Sequence, residues 1–285
     1  MRKRMPNRSL LQKVILGLVV FAGLAPLVYF VSVQTGLSVA LAEEGIPEES
    51  TVTGAIDRYV QNVAFGVGEE FTFDINYGFI NAGTASMSIP RLVEFNGRPS
   101  YQIITRAESN KFFSTIFKVD DRVESIMDAI GLFSWRFDKK LREGSYRSHR
   151  QYEFDQKNHT VVYKGDTIEV PPYVQDALSV LYYVRTLDLE VGKSYYVDNF
   201  TDGRQMPLEI KVHRRERVEV PAGTFDCIVV EPLVKSVGVF KHEGRLKVYL
   251  TDDRVKMPVL MKSKVLVGSI TAEMTSYKLG DIEVF

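Results

Sequence analysis

Phe71-Thr72-Phe73-Asp74-Ile75-Asn76-Tyr77-Gly78-Phe79 alternates apolar and polar side chains almost without a break. Successive side chains of a strand point to opposite faces, so a period of two marks a strand with one buried face and one wet face. Ala85, Met87 and Ile89 continue the alternation, with a turn expected at Asn81-Ala82-Gly83. Leu208, Ile210 and Val212 repeat it against Glu209, Lys211 and His213, and Val259–Val267 with Ile270–Leu279 read as a closing hairpin around Gly268-Ser269.

Turn signals recur at Asn96-Gly97, Gly144-Ser145, Lys157-Asn158, Gly165-Asp166 and Asp202-Gly203. They imply ten to twelve short-turned strands, which is the pattern of an antiparallel sheet, sandwich or barrel. One segment departs from it. Between Asp176 and Leu187, residues Leu178, Leu181, Tyr182 and Arg185 fall at helical spacing, with Asp176 placed to cap the first turn. The expected fold is mainly β: a strongly curved antiparallel sheet, half-barrel or barrel-like, with one amphipathic helix packed against it.

The 285 residues are 45% hydrophobic and 25% charged, which suits a folded chain and excludes a disordered or collagenous one. Formal charge balances at 36 against 36, but unevenly. Arg2, Lys3, Arg4, Arg8 and Lys13 precede any acidic residue, and from Glu43 onward 31 basic residues meet 36 acidic ones. A mildly acidic domain has no broad electrostatic attraction to nucleic acid, so none is expected as a partner.

Val14–Val33 is an apolar stretch of the length that crosses a bilayer, behind a basic flank. Ala40-Leu41-Ala42 ahead of Glu43-Glu44 also fits a signal-peptidase site. Both fates give the same topology: an exported, periplasmic protein, either soluble after cleavage near Ala42 or tethered to the inner membrane by residues 14–33. The expected organisation is a signal peptide or anchor over 1–42, a linker or weakly ordered lead-in over 43–65, and an exported β-rich domain over 66–285.

No motif points to a particular reaction. His149, His159, His213 and His242 lack metal-ligand spacing, and no nucleophile elbow, phosphate loop or dinucleotide fingerprint occurs. No enzyme activity, metal or cofactor is expected on these grounds. Cys227 sits in the apolar run Phe225–Val230 and reads as core. Asp120, Arg122 and Glu124 share one strand face as a solvated charge ladder. The run His213–Arg217 reads as an exposed strand end, and Lys262 with Lys264 as guards of an edge strand. Aromatic side chains are denser elsewhere. Phe112, Phe113 and Phe117, then Phe133 and Trp135, with Tyr182 and Tyr183 on the helix, are the candidate lining of an apolar cleft between sheet and helix.

Several segments in order carry a family resemblance. They are Val67-Gly68-Glu69 leading into Phe71–Ala85, Phe117–Ser125, Asp176–Arg185, Val220–Phe225, Tyr249–Asp253 and Met257-Pro258-Val259. Over about Phe65 to Lys278 this series resembles the bacterial exported domain-of-unknown-function family 3108. The resemblance implies an envelope protein with a signal peptide and a β-rich domain, and carries no catalytic or ligand residues. A curved sheet with a helix in its mouth is also similar, at the level of fold, to the LolA/LolB class of periplasmic lipoprotein carriers, which implies acyl-chain binding. The expected partners are a lipid or other apolar ligand or, alternatively, an envelope protein served by a structural or assembly factor.

Overall fold

The computed structural model describes residues 56–234, 246–264, 268–283 and 285. The expected signal or anchor segment, residues 1–42, and the 43–55 part of the expected linker lie outside them, as does His242. The first half runs β1 (Glu70–Tyr77), β2 (Ile80–Phe95), β3 (Arg98–Ser109), α1 (Lys111–Ser114), β4 (Asp120–Asp128), β5 (Ser134–Glu143), β6 (Tyr146–Asp155), β7 (Thr160–Tyr163) and β8 (Asp166–Glu169). Helix α2 (Ser179–Arg185) follows, then β9 (Ser194–Val197) and the small hairpin β10 (Phe200–Thr201) and β11 (Arg204–Gln205). The chain ends with β12 (Leu208–Val220), β13 (Gly223–Val234), β14 (Leu246–Thr251), β15 (Pro258–Lys264) and β16 (Ser269–Lys278).

Fourteen of these strands form one antiparallel sheet in the order β8-β7-β6-β5-β4-β3-β2-β1-β16-β15-β14-β13-β12-β9. The sheet does not close, so β8 and β9 are its two edges. Two meanders meet at β1 and β16, which pair from Glu70↔Lys278 to Tyr77↔Ile270. The expected class is therefore the observed one, with more strands than the ten to twelve read from the sequence. The short pieces β7 to β11 have too few residues to show a periodic pattern.

The period-two reading fixes the inside. Phe71, Phe73 and Ile75 are buried, as are Tyr101, Ile103 and Ala107 on β3. They join one continuous core with α2 and with the inward residues of β12 to β16. Fully burying a side chain of this size contributes about 1.5–3 kcal/mol. The residues ahead of β1 join this core as well. Asn62 Oδ1 accepts from the Ala64 and Phe65 amides at 3.0 and 3.3 Å, and Ala64 and Phe65 are buried, so the packed unit begins before Gly66.

Three local expectations are corrected. The first turn lies at Gly78-Phe79, and Asn81-Ala82-Gly83 is already within β2. Gly83 is required there for space, since a Cβ would stand 2.1 Å from the Glu108 carbonyl oxygen of β3. The run His213–Arg217 lies inside the thirteen-residue β12, where a bulge between Val212 and Arg214 breaks the alternation. Lys262 and Lys264 guard no edge, because β15 is paired with both β14 and β16. Lys262 instead covers the Tyr249 ring. The hairpin turns Asn96-Gly97, Lys164-Gly165 and Asp202-Gly203 all take positive φ at both residues, which matches the right-handed twist of the paired strands.

Candidate functional site

Helix α2 lies against the inner face of the sheet, and its two ends are fixed by buried charges. At its start the Asp176 carboxylate, fully buried, accepts from the Leu178 and Ser179 amides at 2.7 and 2.8 Å. It also accepts from Ser125 Oγ of β4 at 2.5 Å and from Ser134 Oγ of β5. Burial pushes this carboxyl up, and those donors oppose the shift. At its end Arg185 makes a bidentate pair with Glu69, at 2.8 and 2.6 Å, with both side chains out of solvent. The guanidinium also donates to the Ala64 and Val255 carbonyls and lies against the rings of Phe65, Phe71 and Tyr182.

Between these fixings, α2 and the inner faces of β12, β13 and β14 leave a cavity of about 40 Å³. Ala177, Val180, Leu181 and Val184 form its helix wall. Leu208, Ile210, Val230, Pro232, Val234 and Val248 form its sheet wall, and Asn199, Thr201 and Met206 close it from the segment around β10 and β11. Among the described residues no titratable side chain lines it.

The opposite arm of the sheet turns a different surface inward. Asp121 of β4, Lys139 and Glu143 of β5 and Arg150 of β6 lie on the inner face, and the first three are buried. Asp202, at the tip of the β10–β11 hairpin, pairs with Arg150 and stands 3.9 Å from Lys139. Burial, then the neighbouring Asp121 carboxylate, pushes Glu143 up to about 8. Burial raises Asp121 as well and lowers Lys139, against the attraction of Asp202. The hairpin thus touches both arms. Phe200 packs on Tyr152 and Phe154 on the charged side, while Thr201 and Met206 face the aliphatic cavity.

The seven candidate aromatic residues are scattered, and none is in the cavity wall. Phe112 and Phe113 fall on the one-turn helix α1, where Phe112 is exposed and Phe113 half-buried. Phe117 packs over Gly144. Phe133 and Trp135 form a separate small cluster with Ile126, on the opposite face of the sheet from Ser125. Tyr182 is buried against Phe65, and Tyr183 lies under the Arg58 guanidinium. The wall residues were visible in the sequence as helical and strand apolar positions, but aliphatic side chains give no signal that separates a cavity wall from core. The inward charges had a signal: Asp121 occupies the strand face opposite Asp120, Arg122 and Glu124, and Lys139 shares its face with Phe137 and Leu141.

The dispersed histidines take ordinary partners. His149 pairs with Asp138 at 2.8 Å and His213 with Glu231 at 2.6 Å. Among the described residues no group of three or more His, Cys, Asp or Glu side chains is arranged to hold a metal ion. Cys227 is buried, and burial pushes its thiol up to about 12.

No curated protein matches the chain. Among solved structures it is similar to a β-barrel-like protein of the domain of unknown function DUF1849 from Brucella abortus. The identity is 11%, the TM-score 0.53, and the match covers 77% of this chain and 100% of the other, so the likeness is one of fold. A protein from Parabacteroides distasonis (TM-score 0.33, 10% identity, 78% and 100% covered) and one with a YmcC-like fold from Bacteroides fragilis (0.28, 10%, 78% and 99%) lie further away. The family described as "Protein of unknown function (DUF3108)" matches residues 72–275, which takes in every residue of the cavity wall and all of the sheet except the first two residues of β1 and the last three of β16. The chain belongs to that family.

Proposed function

We propose that this is an exported, periplasmic binding module that takes one apolar chain, of a lipid or similar molecule, into the cavity between α2 and β12–β14. It acts by binding and not by catalysis. The observation that carries the reading is the cavity wall itself, in which Asn199 and Thr201 are the only polar residues among those described. Such a wall rewards removal of apolar surface from water and offers no group to a reacting centre.

As it stands, the cavity of about 40 Å³ is smaller than the roughly 150 Å³ that admits a benzene-sized guest. Entry of an acyl chain therefore requires the wall to move. The β10–β11 hairpin is the element to move, because it has two residues per strand, lies outside the fourteen-stranded sheet, and is joined to the segment ahead of α2 by the Phe200 amide on the Gln175 carbonyl at 2.8 Å. The assembly-factor alternative, by strand addition at a sheet edge, is less favoured. The outermost strands β8 and β9 are only four residues long, and the part of β12 that runs past β9 carries the bulge at Val212–Arg214 and the charged run Arg214–Arg217, all of which discourage such pairing.

The test is native mass spectrometry, with lipid extraction, of the protein purified gently from its native host. A stoichiometric lipid supports the binding reading and directs substitution to Val180, Leu181 and Val230. A clean apo mass overturns it in favour of a protein-contact role, and makes crosslinking in cells the next step.

A further inference from the structure

The strand directions bring several connections to one end of the sheet, and hydrogen bonds join them into a continuous rim. Gly78 of the β1–β2 turn donates to the Ser269 carbonyl at 3.1 Å, and Ser269 is paired with Lys264. Asn110, ahead of α1, donates through its amide to the Ala82 carbonyl and through its side chain to the Asn81 carbonyl. Gly144 of the β5–β6 turn donates to the Lys118 carbonyl at 2.8 Å. Along this rim Phe79 is fully exposed, Phe112 is 67% exposed, and Ile80 and Ile116 are also exposed. Four large apolar side chains at neighbouring tips are not explained by the core, which they do not enter.

Cations surround them. Lys111, Lys118, Arg142, Arg147 and Lys264 are all exposed at this rim, against two carboxylates among the described residues, Glu108 and Asp120, of which Asp120 is paired with Arg142. Among the described residues Lys111 and Lys118 have no ion-pair partner, and Arg147 donates only to the Gly144 and Tyr146 carbonyls. The basic excess is local, since residues 43–285 as a whole are acidic. Apolar tips that enter the headgroup boundary, inside a cationic ring, complement a bilayer surface that carries anionic lipid.

We propose that this end of the sheet docks on an anionic lipid bilayer, with Phe79, Ile80, Phe112 and Ile116 inserted and the basic ring on the headgroups. The inference does not depend on the cavity being occupied. The docked population falls by roughly fivefold for each basic side chain removed.

The test uses the full chain, reconstituted into vesicles of phosphatidylcholine alone or with about a third phosphatidylglycerol, a range in which the surface potential is strongly negative. Phe112→Cys carries an environment-sensitive fluorophore. Asn96→Cys, at the opposite end of the sheet, reports tethering by any other segment, and the unsubstituted chain shows that buried Cys227 does not take the label. The expected result is a blue shift and intensity gain at position 112 on the anionic vesicles only, with position 96 unchanged. Added salt, or the triple variant Lys111→Gln, Lys118→Gln, Arg147→Gln, abolishes the gain, and circular dichroism verifies that the variant is folded. Equal signals at 112 on neutral and anionic vesicles, or a gain at 96 matching that at 112, overturn the proposal. So does no change on either vesicle, which would assign the rim to a protein contact.

Discussion

The two arms of this sheet face each other across α2 and are finished in opposite ways. The β12–β14 arm presents Leu208, Ile210, Val230 and Val248 to the helix and leaves a gap. The β4–β6 arm presents Asp121, Lys139, Glu143 and Arg150, and draws the Asp202 hairpin tip onto them. Aliphatic contacts are non-directional and tolerate sliding, whereas charges out of water hold their partners because separation leaves an unpaired buried charge. The comparison separates a wall that can yield to a guest from a wall that holds its cover in place.

The largest effect is expected where α2 is fixed between the arms. Glu69→Ala strands the fully buried Arg185 and costs about 3–5 kcal/mol, read as a lower urea midpoint. A normal midpoint would mean that α2 is held by apolar packing alone. Next comes the contact that binds hairpin to charged wall. Asp202→Ala leaves Lys139 and Arg150 without their carboxylate and costs about 2–3 kcal/mol, while uptake of an apolar fluorescent probe increases. Destabilisation without increased uptake would show that the hairpin does not cover the cavity.

A third test sharpens the charged side through pH. In the folded protein Glu143 holds its proton up to about 8, far above its value in the unfolded chain, so the folded state binds the extra proton between those values. Its contribution is complete below the unfolded carboxylate range and is lost as pH rises through about 8. Thermal stability is expected to fall across that window, and Glu143→Gln to flatten the fall while raising stability at its alkaline end. An unchanged profile in the variant would remove Glu143 as the cause. The smallest effect belongs to the yielding wall: Val180→Ile fills part of the gap, stabilises by about 0.5–1 kcal/mol and lowers probe uptake. Destabilisation would mean that the space is less than the geometry indicates.

Legibility differed from one part of the chain to another. The strands around Phe71–Tyr77 and Leu208–Val212, the hairpin of β15 and β16, and the helix expected between Asp176 and Leu187, observed as Ser179–Arg185, could be read directly, because each is long enough for its period to show. The turn at Gly78-Phe79 was misplaced because Phe79 continues the alternation although it is fully exposed. The aromatic clusters drew attention by composition, yet Phe133 and Trp135 pack on the other face of the sheet and Phe112 points to solvent. Composition records the size of a side chain and not the face it takes after a bulge such as that between Ile126 and Met127.

By itself the sequence determined the class of the fold, because strand and helix periods are local properties written residue by residue. It also determined which segments alternate and where most hairpins reverse. That the sheet stays open, and that Asp202 reaches Lys139 and Arg150 across 52 positions from the latter, emerges only from the tertiary structure. Those outcomes depend on contacts between residues far apart in the chain, whose partners no local pattern names.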